Sequence, residues 1–590
     1  TKLNQYKPAI ETYKTILKIN PVDPDAYFNL GNIFKNCNAF EKAISNYQKA
    51  LKLNPMDSGA ANNMGICLQH KGDHKAAVEK YQMAIEIDPD FAEAYNNLGS
   101  SLESRGDFQE AVKNYKKASK INPNYAEAYN NLGSLLKRQG KINEAIYNYR
   151  KALKIDPNYA EVYNNLGIAK YDNGDFKEAL EHYRKAIEIN PEYAPACHNL
   201  ANTLYKEGDL NGAIRYYKQA ISIRPKDSIA HYNMGTLLTE KGDFEAAIKC
   251  YKKALKINPG YSKAFLSMGT TLHRKGDLES AISNYKKALN ICPLDATIHY
   301  NMGVALSDKK QLDLAINSFE QAIEIDAKYI GAHLQIGLAN QAKGNLSKAG
   351  ISYQKAVTLS ANNKSKNCLY AQAKHLLAAV NGETTTTAPK AYVENMFDHY
   401  AKKFDYQLVK VLDYQAPRIL VDLIKGQEPK IIVASVLDLG CGTGLVGAEL
   451  NNKCQNLEGI DLSKLMLERA REKGVYNKLH NSDILAYLGE KKLDFDYFVA
   501  ADVFIYVGAL QDLFQLIKSR NKRRAKLVFS TEHSTQNGFT LEKSGRYSHS
   551  KQYIEALVKK FGCRIVHFSL TNLRKDNGTY LKGGMYVVQF

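Results

Sequence analysis

The chain has 590 residues, a formal net charge of +19, and 44% hydrophobic against 24% charged residues. That length calls for several cooperative units rather than one core, and no apolar run approaches the ~18 residues a membrane-spanning helix needs. The basic excess is diffuse, with 29 basic against 22 acidic side chains over residues 391–590 and 51 against 39 over the rest, so no stripe marks a nucleic-acid partner.

From its first residues the chain is periodic. Glycine recurs at 31, 65, 99, 133, 167, 235, 269, 303 and 337, and proline at 21, 55, 89, 123, 157, 191, 225, 259 and 293, always 34 apart, with Ala201 in the vacant glycine slot. Each unit carries two helical patterns. Over residues 92–125, Gly99 is expected to let the first helix approach Ala111 and Ala118 of the second, while Tyr95, Leu98, Leu102 and Tyr115 fill the remaining space. Gly106 closes the first helix in a left-handed turn, and Pro123 stops the second. Ten full units run from 24 to 363, after a partial repeat near 6–19 and before a capping helix near 364–380. The chain opens on Thr1, partway through a repeat, which raises the expectation of a missing N-terminal piece.

This period resembles the tetratricopeptide repeat, and the resemblance implies an all-α superhelical solenoid over residues 1–380. Asparagine fills one further slot in eight units, at 29, 63, 97, 131, 165, 199, 233 and 301, while Ser267 and Gln335 interrupt it. In tetratricopeptide families that slot lies on the inner helix, which implies a concave groove where Asn63, Asn97, Asn131, Asn165, Asn199 and Asn233 hold a protein or peptide partner. The other reading is that these amides hydrogen-bond within the stack.

Polar, period-free residues 381–389 read as a linker, and a second domain is expected over 390–590. Residues 392–420 are helical by period, with aromatics at 397, 400 and 404. The apolar, β-branched run 431–439 reads as a strand buried on both faces, ending in glycines at 440, 442, 444 and 447 before a helix begins. Such glycines let the backbone bend sharply and place its amides against a ligand. Asp461, 21 residues after Gly440, ends the next apolar stretch, where a carboxylate can accept both ribose hydroxyls.

Gly442-x-Gly444-x-x-Gly447 also satisfies the dinucleotide fingerprint. Asp438 separates the two readings, because an acid two residues before the first glycine repels a pyrophosphate and attracts the amino group of a methionine moiety. Asp438-x-Gly440-x-Gly442-x-Gly444 resembles motif I of the class I S-adenosylmethionine-dependent methyltransferases. Cys441 within it is a small filler of a tight turn. Nearly the whole chain resembles the bacterial methyltransferases that carry tetratricopeptide repeats, which implies an α/β Rossmann-like, seven-stranded domain behind the solenoid.

The resemblance implies that Asp438, Gly440, Cys441, Gly442, Gly444, Asp461, Leu462, Asp483, Ile484 and Asp502 bind the cofactor S-adenosyl-L-methionine. Asp483 would meet the adenine amino group and Asp502 the donor's amino group. Tyr400, Phe504, Arg546 and Tyr547 are expected to shape the acceptor pocket, with Arg546 suited to a carboxylate or phosphate. Methyl transfer is an in-line displacement that needs alignment first, and a base only where the acceptor must lose a proton. The candidate bases are His549, His533 and Tyr506, each equally readable as a polar wall residue.

No metal cluster is visible, and nine scattered cysteines fit a reducing cytoplasm rather than a disulfide frame. Six cations over residues 518–526 suit either an acidic partner or a solvated loop. The expected function is methyl transfer to an unidentified acceptor, with the repeats recruiting a protein. The alternatives are a scaffold with an inactive cofactor domain, or an RNA methyltransferase.

Overall fold

The computed structural model describes residues 6–361, 368–401, 404–427, 434–450, 453–576 and 579–590, with the side chains of His399 and Tyr400 outside that set. It divides into two compact units, Thr1–Thr271 and Leu272–Phe590.

The first unit begins with helix α1 (Lys7–Ile19), the expected partial repeat. Helix pairs follow every 34 residues, from α2 (Pro24–Asn36) and α3 (Phe40–Leu53) to α14 (Ser228–Lys241) and α15 (Phe244–Ile257). Aspartates start many of these helices. Asp57, Asp73 and Asp243 each accept a backbone N–H three residues on, satisfying a donor that the first turn leaves free. Gly106 closes its helix at φ +89°, as its sequence position requires, and Asn38 takes the same left-handed slot in the first repeat.

Inside a repeat, Gly99 faces the ring of Tyr115: a Cβ on Gly99 would lie 2.8 Å from Tyr115 Cδ1. Gly65 meets Tyr81 and Gly133 meets Tyr149 in the same way. The missing side chain makes room for an aromatic ring, and each ring is buried.

The second unit contains α18 (Ala296–Asp308), α19 (Leu312–Ile325), α20 (Ile330–Ala342), α21 (Leu346–Leu359) and α22 (Cys368–Asn381). Helix α22 is the expected cap, and it is covered on two sides. Ala373 and Leu376 pack with Leu334 of α20 and with Tyr353 and Ala356 of α21. Ala378 and Ala379 join a second cluster with Ala388, Val393, Leu541 and Tyr547. The stretch read as a linker is a strap, bonded along its length. Thr386 O accepts from Gly508 N and Ala509 N, Ala388 N donates to Tyr506 O, and Thr384 Oγ1 accepts from Leu541 N.

Beyond the strap lie α23 (Lys390–Tyr400), a π-helical turn (Tyr406–Val411) and α24 (Ala416–Gln427). The strand expected from 431 begins at Ser435, and residues 431–433 lie outside the described set. Alternation then follows: β1 (Ser435–Leu439), α25 (Leu445–Leu450), β2 (Asn456–Asp461), α26 (Lys464–Lys473), β3 (Lys478–Asn481), α27 (Ile484–Glu490) and β4 (Tyr497–Ala500). Helix α28 (Gln511–Arg520) leads to β5 (Lys526–Ser534), the hairpin β6 (Phe539–Leu541) and β7 (Tyr547–Ser550), α29 (Lys551–Lys560), β8 (Arg564–Asp576) and β9 (Thr579–Gln589).

Strands β3, β2, β1, β4 and β5 are parallel neighbours; β9 pairs antiparallel with β5, and β8 with β9. Those seven form the expected sheet, and the β6–β7 hairpin is an addition. Past the end of β4 at Ala500, β5 continues and pairs with β7 through Glu532–Ser534. Both faces of the sheet are buried. Leu437, Phe498, Ala500 and Phe529 pack on one side, and Val436, Tyr497, Val499 and Val528 on the other, following the two-residue period of a strand.

Candidate functional site

The carboxyl ends of β1, β2 and β4, with the turns that follow them and β3, open on one cavity of about 750 Å³, within the size range of small-molecule sites. After Leu439 the chain turns through Gly440, Gly442 and Gly444 at φ +70°, +54° and +84°, conformations that side chains disfavour. The loop is tightly backed. A Cβ on Gly440 would strike Val503 Cγ2 at 2.6 Å and one on Gly444 would strike Tyr476 Cε2 at 2.9 Å. On Gly442 it would have open space, with Phe404 Cε1 at 3.9 Å the nearest atom outside its neighbours. Gly440, Cys441 and Gly442 line the cavity.

Two carboxylates shape this loop. Asp461, at the end of β2, accepts Gly442 N–H and Ser463 N–H, each at 2.8 Å, and lines the cavity. Burial holds its carboxyl up at about 6. Asp438 lies beneath the loop, 1% exposed and outside the lining. Its Oδ2 accepts the Tyr476 hydroxyl at 2.6 Å, while Oδ1 is buried without a partner. Burial pushes Asp438 up to about 7. Tyr476, unremarked in the sequence, links the two ends of the motif, because its hydroxyl also accepts Gly447 N–H.

These two acids make the protein's stability pH-dependent. Both are raised above their unfolded values, so the stability they contribute is full below pH 4 and is lost as pH rises through about 6 to 7. Replacing Asp438 by Asn removes its share. The difference in Tm between wild type and Asp438→Asn is expected to change by several degrees between pH 5 and pH 8, as read by calorimetry, with the variant gaining relative stability at the higher pH.

Leu462, Asp483 and Ile484 also line the cavity. Asp483 caps α27 by accepting Ala486 N–H at 3.0 Å, and Lys390 Nζ lies 3.0 Å from it. Phe397, Phe404, Tyr414, Phe504 and Tyr506 supply aromatic walls, with Phe397 edge-on to both Phe404 and Tyr506. Asp405, next to Phe404, binds the loop: it accepts from Thr443 Oγ1, and from Lys473 Nζ at 2.7 Å. Burial raises the Tyr506 phenol to about 12, so it stays protonated at neutral pH and acts as a donor.

Asp502 follows β4 and takes the left-handed conformation, φ +55°, a strained setting for a non-glycine residue. Ser530 Oγ accepts Asp502 N–H at 2.8 Å and donates to Oδ1 at 3.0 Å, while Arg574 Nη1 donates to Oδ2. Arg574 also donates to Glu532 and is 4% exposed. A bulge between Asn572 and Arg574 breaks the register of β8 at this arginine. Arg546, in the turn of the β6–β7 hairpin, is the other arginine of the lining.

Several sequence candidates stand elsewhere. His549 is fully buried on β7, donates from Nε2 to Gly508 O at 2.9 Å, and packs on Tyr553 and Phe539; it is outside the lining, and burial lowers it to about 4. His533 on β5 lies beside Phe568, also outside the lining. Tyr547 is buried behind the wall, its hydroxyl 2.5 Å from Thr385 Oγ1. The Tyr400 side chain lies outside the described set. Gly444 braces the loop from behind rather than facing the cavity.

The repeat asparagines form a chain of amides. Asn97, Asn131, Asn165 and Asn199 each donate from Nδ2, at 2.9–3.0 Å, to the Asn Oδ1 35 residues earlier. Asn63 donates to Asn32 Oδ1 at 3.0 Å, and Asn233 to Asn202 Oδ1 at 3.4 Å with His198 Nε2 at 3.1 Å. At each of the six positions one amide proton is therefore used within the stack. The basic run 518–526 is engaged as well. Arg523 bonds Asp494 and Asp496, and Lys518 and Arg520 cap backbone carbonyls. Among the described residues no group of His, Cys, Asp and Glu side chains could hold a metal ion, and no helix is long and apolar enough to cross a membrane.

Residues 436–522 match the family model of the methyltransferase domain. Tetratricopeptide-repeat models match residues 228–261, 250–283, 269–309, 305–344 and 330–363, and residues 3–228 match the C-terminal domain of cilia and flagella-associated protein 70. The chain joins tetratricopeptide repeats to a methyltransferase domain. Methyltransferase-like protein 27 of Homo sapiens is 37% identical over 120 residues, 20% of this chain and 46% of that protein. An uncharacterized methyltransferase of Schizosaccharomyces pombe is 37% identical over 98 residues, 15% and 33% of the two chains. The chain thus spans less than half the length of either relative. Among solved structures, YrrB, a TPR protein with an unusual peptide-binding site, is 26% identical, with a TM-score of 0.28, over 32% of this chain and 97% of its own. MamA is 28% identical, with a TM-score of 0.26, over 28% and 95%. The family models carry the two-part organisation; the bacterial grouping implied by the sequence resemblance is not carried by any of these matches. Arg546 and Arg574 lie beyond the matched methyltransferase region.

Proposed function

We propose that the protein transfers a methyl group from S-adenosyl-L-methionine to an acceptor in the cavity, and that its repeats recruit a protein partner. The observation that carries this reading is the glycine loop, open to the cavity at Gly442 and held by Asp461, with Asp483 at the next strand end. The residues present fit the donor. Asp461 keeps lone pairs free for two ribose hydroxyls, and the unpartnered Oδ1 of Asp438 offers an acceptor beneath the methionine end. Leu462 and Ile484 offer apolar contact to the adenine. When bound, the donor supplies an electrophilic methyl group.

The chain's own contribution is placement and exclusion of water. Phe397, Phe404 and Tyr506 close the acceptor side, and Asp405 clasps the loop from above through Thr443 and Lys473. Neither His549 nor His533 faces that space, so the reading assigns no proton transfer to them. The repeats would raise the local concentration of a bound partner, whether acceptor or supplier of the acceptor. Titration calorimetry with S-adenosylhomocysteine tests the donor site. Saturable 1:1 binding is expected, and a flat titration at millimolar ligand would refute the reading. Radiolabelled donor incubated with fractionated lysate then reports which fraction takes up label.

A further inference from the structure

The acceptor side of the cavity holds a small set of charges. Among the described residues of the lining, the cations are Lys390, Arg546 and Arg574. Two are committed. Lys390 faces Asp483 at 3.0 Å, and Arg574 is hydrogen-bonded to both Asp502 and Glu532. Arg546 differs. Its Nη1 stands 3.7 Å from Glu532 Oε1 and 3.7 Å from Asp576 Oδ2, outside hydrogen-bonding distance, and Glu532 Oε1 is already taken by Arg574. Its side chain is one-third exposed, and at 3.7 Å both contacts are loose ion pairs rather than hydrogen bonds. The planar fork lines the cavity, where its N–H groups remain open to an anion.

We propose that Arg546 anchors the carboxylate of a small-molecule methyl acceptor, a deepening that rests on the function proposed above. A guanidinium with free paired N–H groups matches a carboxylate in shape and charge. The local balance favours a single negative charge. Glu532 and Asp576, each in a loose ion pair with Arg546, repel a phosphate dianion more strongly than a carboxylate, and Lys390 and Arg574 are more tightly paired with acids. Phe397, Phe404, Tyr414 and Tyr506 wall the cavity, so the body of the acceptor is apolar or aromatic.

The anchor is also held in place. Its hairpin turn is fixed from the repeat side: His375 Nε2 donates to Gly545 O at 2.9 Å, Gln341 Nε2 donates to Lys543 O at 2.6 Å, and Tyr547 bonds the strap through Thr385. His375 is 3% exposed, so this contact is dry. A backbone fixed under the side chain reduces the ordering cost of binding an anion.

The test uses the full-length protein saturated with S-adenosylhomocysteine, with 4-hydroxybenzoate, its methyl ester, its amide and phenyl phosphate as probes. Thermal shift and calorimetry are read for wild type and Arg546→Gln. The acid is expected to stabilise the wild-type complex and to bind at least tenfold more weakly to the variant. The ester and amide should bind wild type no better than the acid binds the variant, and donor-product affinity should stay within twofold. Equal binding of acid and amide, tighter binding of phenyl phosphate, unchanged binding of the acid by Arg546→Gln, or no shift with any probe at millimolar concentration would each overturn the assignment. So would a tenfold loss of S-adenosylhomocysteine affinity in Arg546→Gln, which would put the arginine on the donor's own carboxylate. Failure of wild type to bind S-adenosylhomocysteine is a separate result and counts against the proposed function itself.

Discussion

A protein beginning at Lys390, the boundary that the sequence suggests, is expected to unfold on the order of 10–35 °C below the full-length chain's second unit and to lose affinity for S-adenosylhomocysteine. The cut removes the strap and α22 together. Losing Ala378, Ala379 and Ala388 from the cluster with Val393, Leu541 and Tyr547 costs roughly as much as a large-to-small core substitution, about 2–5 kcal/mol. The backbone bonds from Thr386 and Ala388, and those from Thr384 and His375, add about 1 kcal/mol each. For a domain of this size each kcal/mol moves Tm by about 2–4 °C. A chain beginning at Ile330 keeps α20 to α22 and the strap, and should melt within a few degrees of the full-length second unit. Differential scanning fluorimetry on the two truncations decides the matter. Equal stability of both would show that the helix and strap contribute nothing to the methyltransferase domain.

Asp461→Ala is expected to weaken S-adenosylhomocysteine binding by ~10²–10⁴-fold, because the two charge-assisted hydrogen bonds proposed to ribose would be worth about 1.5–3 kcal/mol each and every 1.4 kcal/mol is a factor of ten. The substitution also frees Gly442 N–H, which Asp461 fixes at 2.8 Å, so the loop loses its brace as well as its ligand contact. Asp461→Asn keeps an acceptor without the charge and should fall between the two. Calorimetry reads both variants, with far-UV circular dichroism confirming the fold. A loss of less than fivefold in Asp461→Ala would remove the carboxylate from the donor site.

The parts of this site that were legible in the sequence are those that local geometry ties to a strand end. A buried strand, a glycine turn and a helix put Gly440, Gly442 and Asp461 at one edge whatever surrounds them, and Asp483 and Asp502 follow the next strands in the same way. Residues set by distant pairing were not legible. Arg574 reaches Asp502 through the β8–β9 register and a bulge, Tyr476 reaches Asp438 across 38 residues, and Asp405 reaches Thr443 across the same span. His549 was readable from sequence as a base or as a polar wall residue. The hairpin register turns it, with Tyr547, toward Phe539 and Tyr553 instead. The threonines at 384–387 have the composition of a flexible tether, and composition does not register that their hydroxyls and carbonyls have partners waiting on the hairpin and the 506–509 turn.

The bulge in β8 constrains how this tail can change length over generations. Downstream of Asn572 every residue of β8 has its side fixed by that one irregularity, and Arg574 is the residue whose burial depends on it. Losing a single codon there would swap inward and outward positions up to Asp576, strand Asp502 and Glu532 without their shared cation, and leave two acids in a dry interior. Substitutions in the outward-facing positions of β8 are cheap by comparison, so drift in this strand should proceed by exchange of residues at constant length.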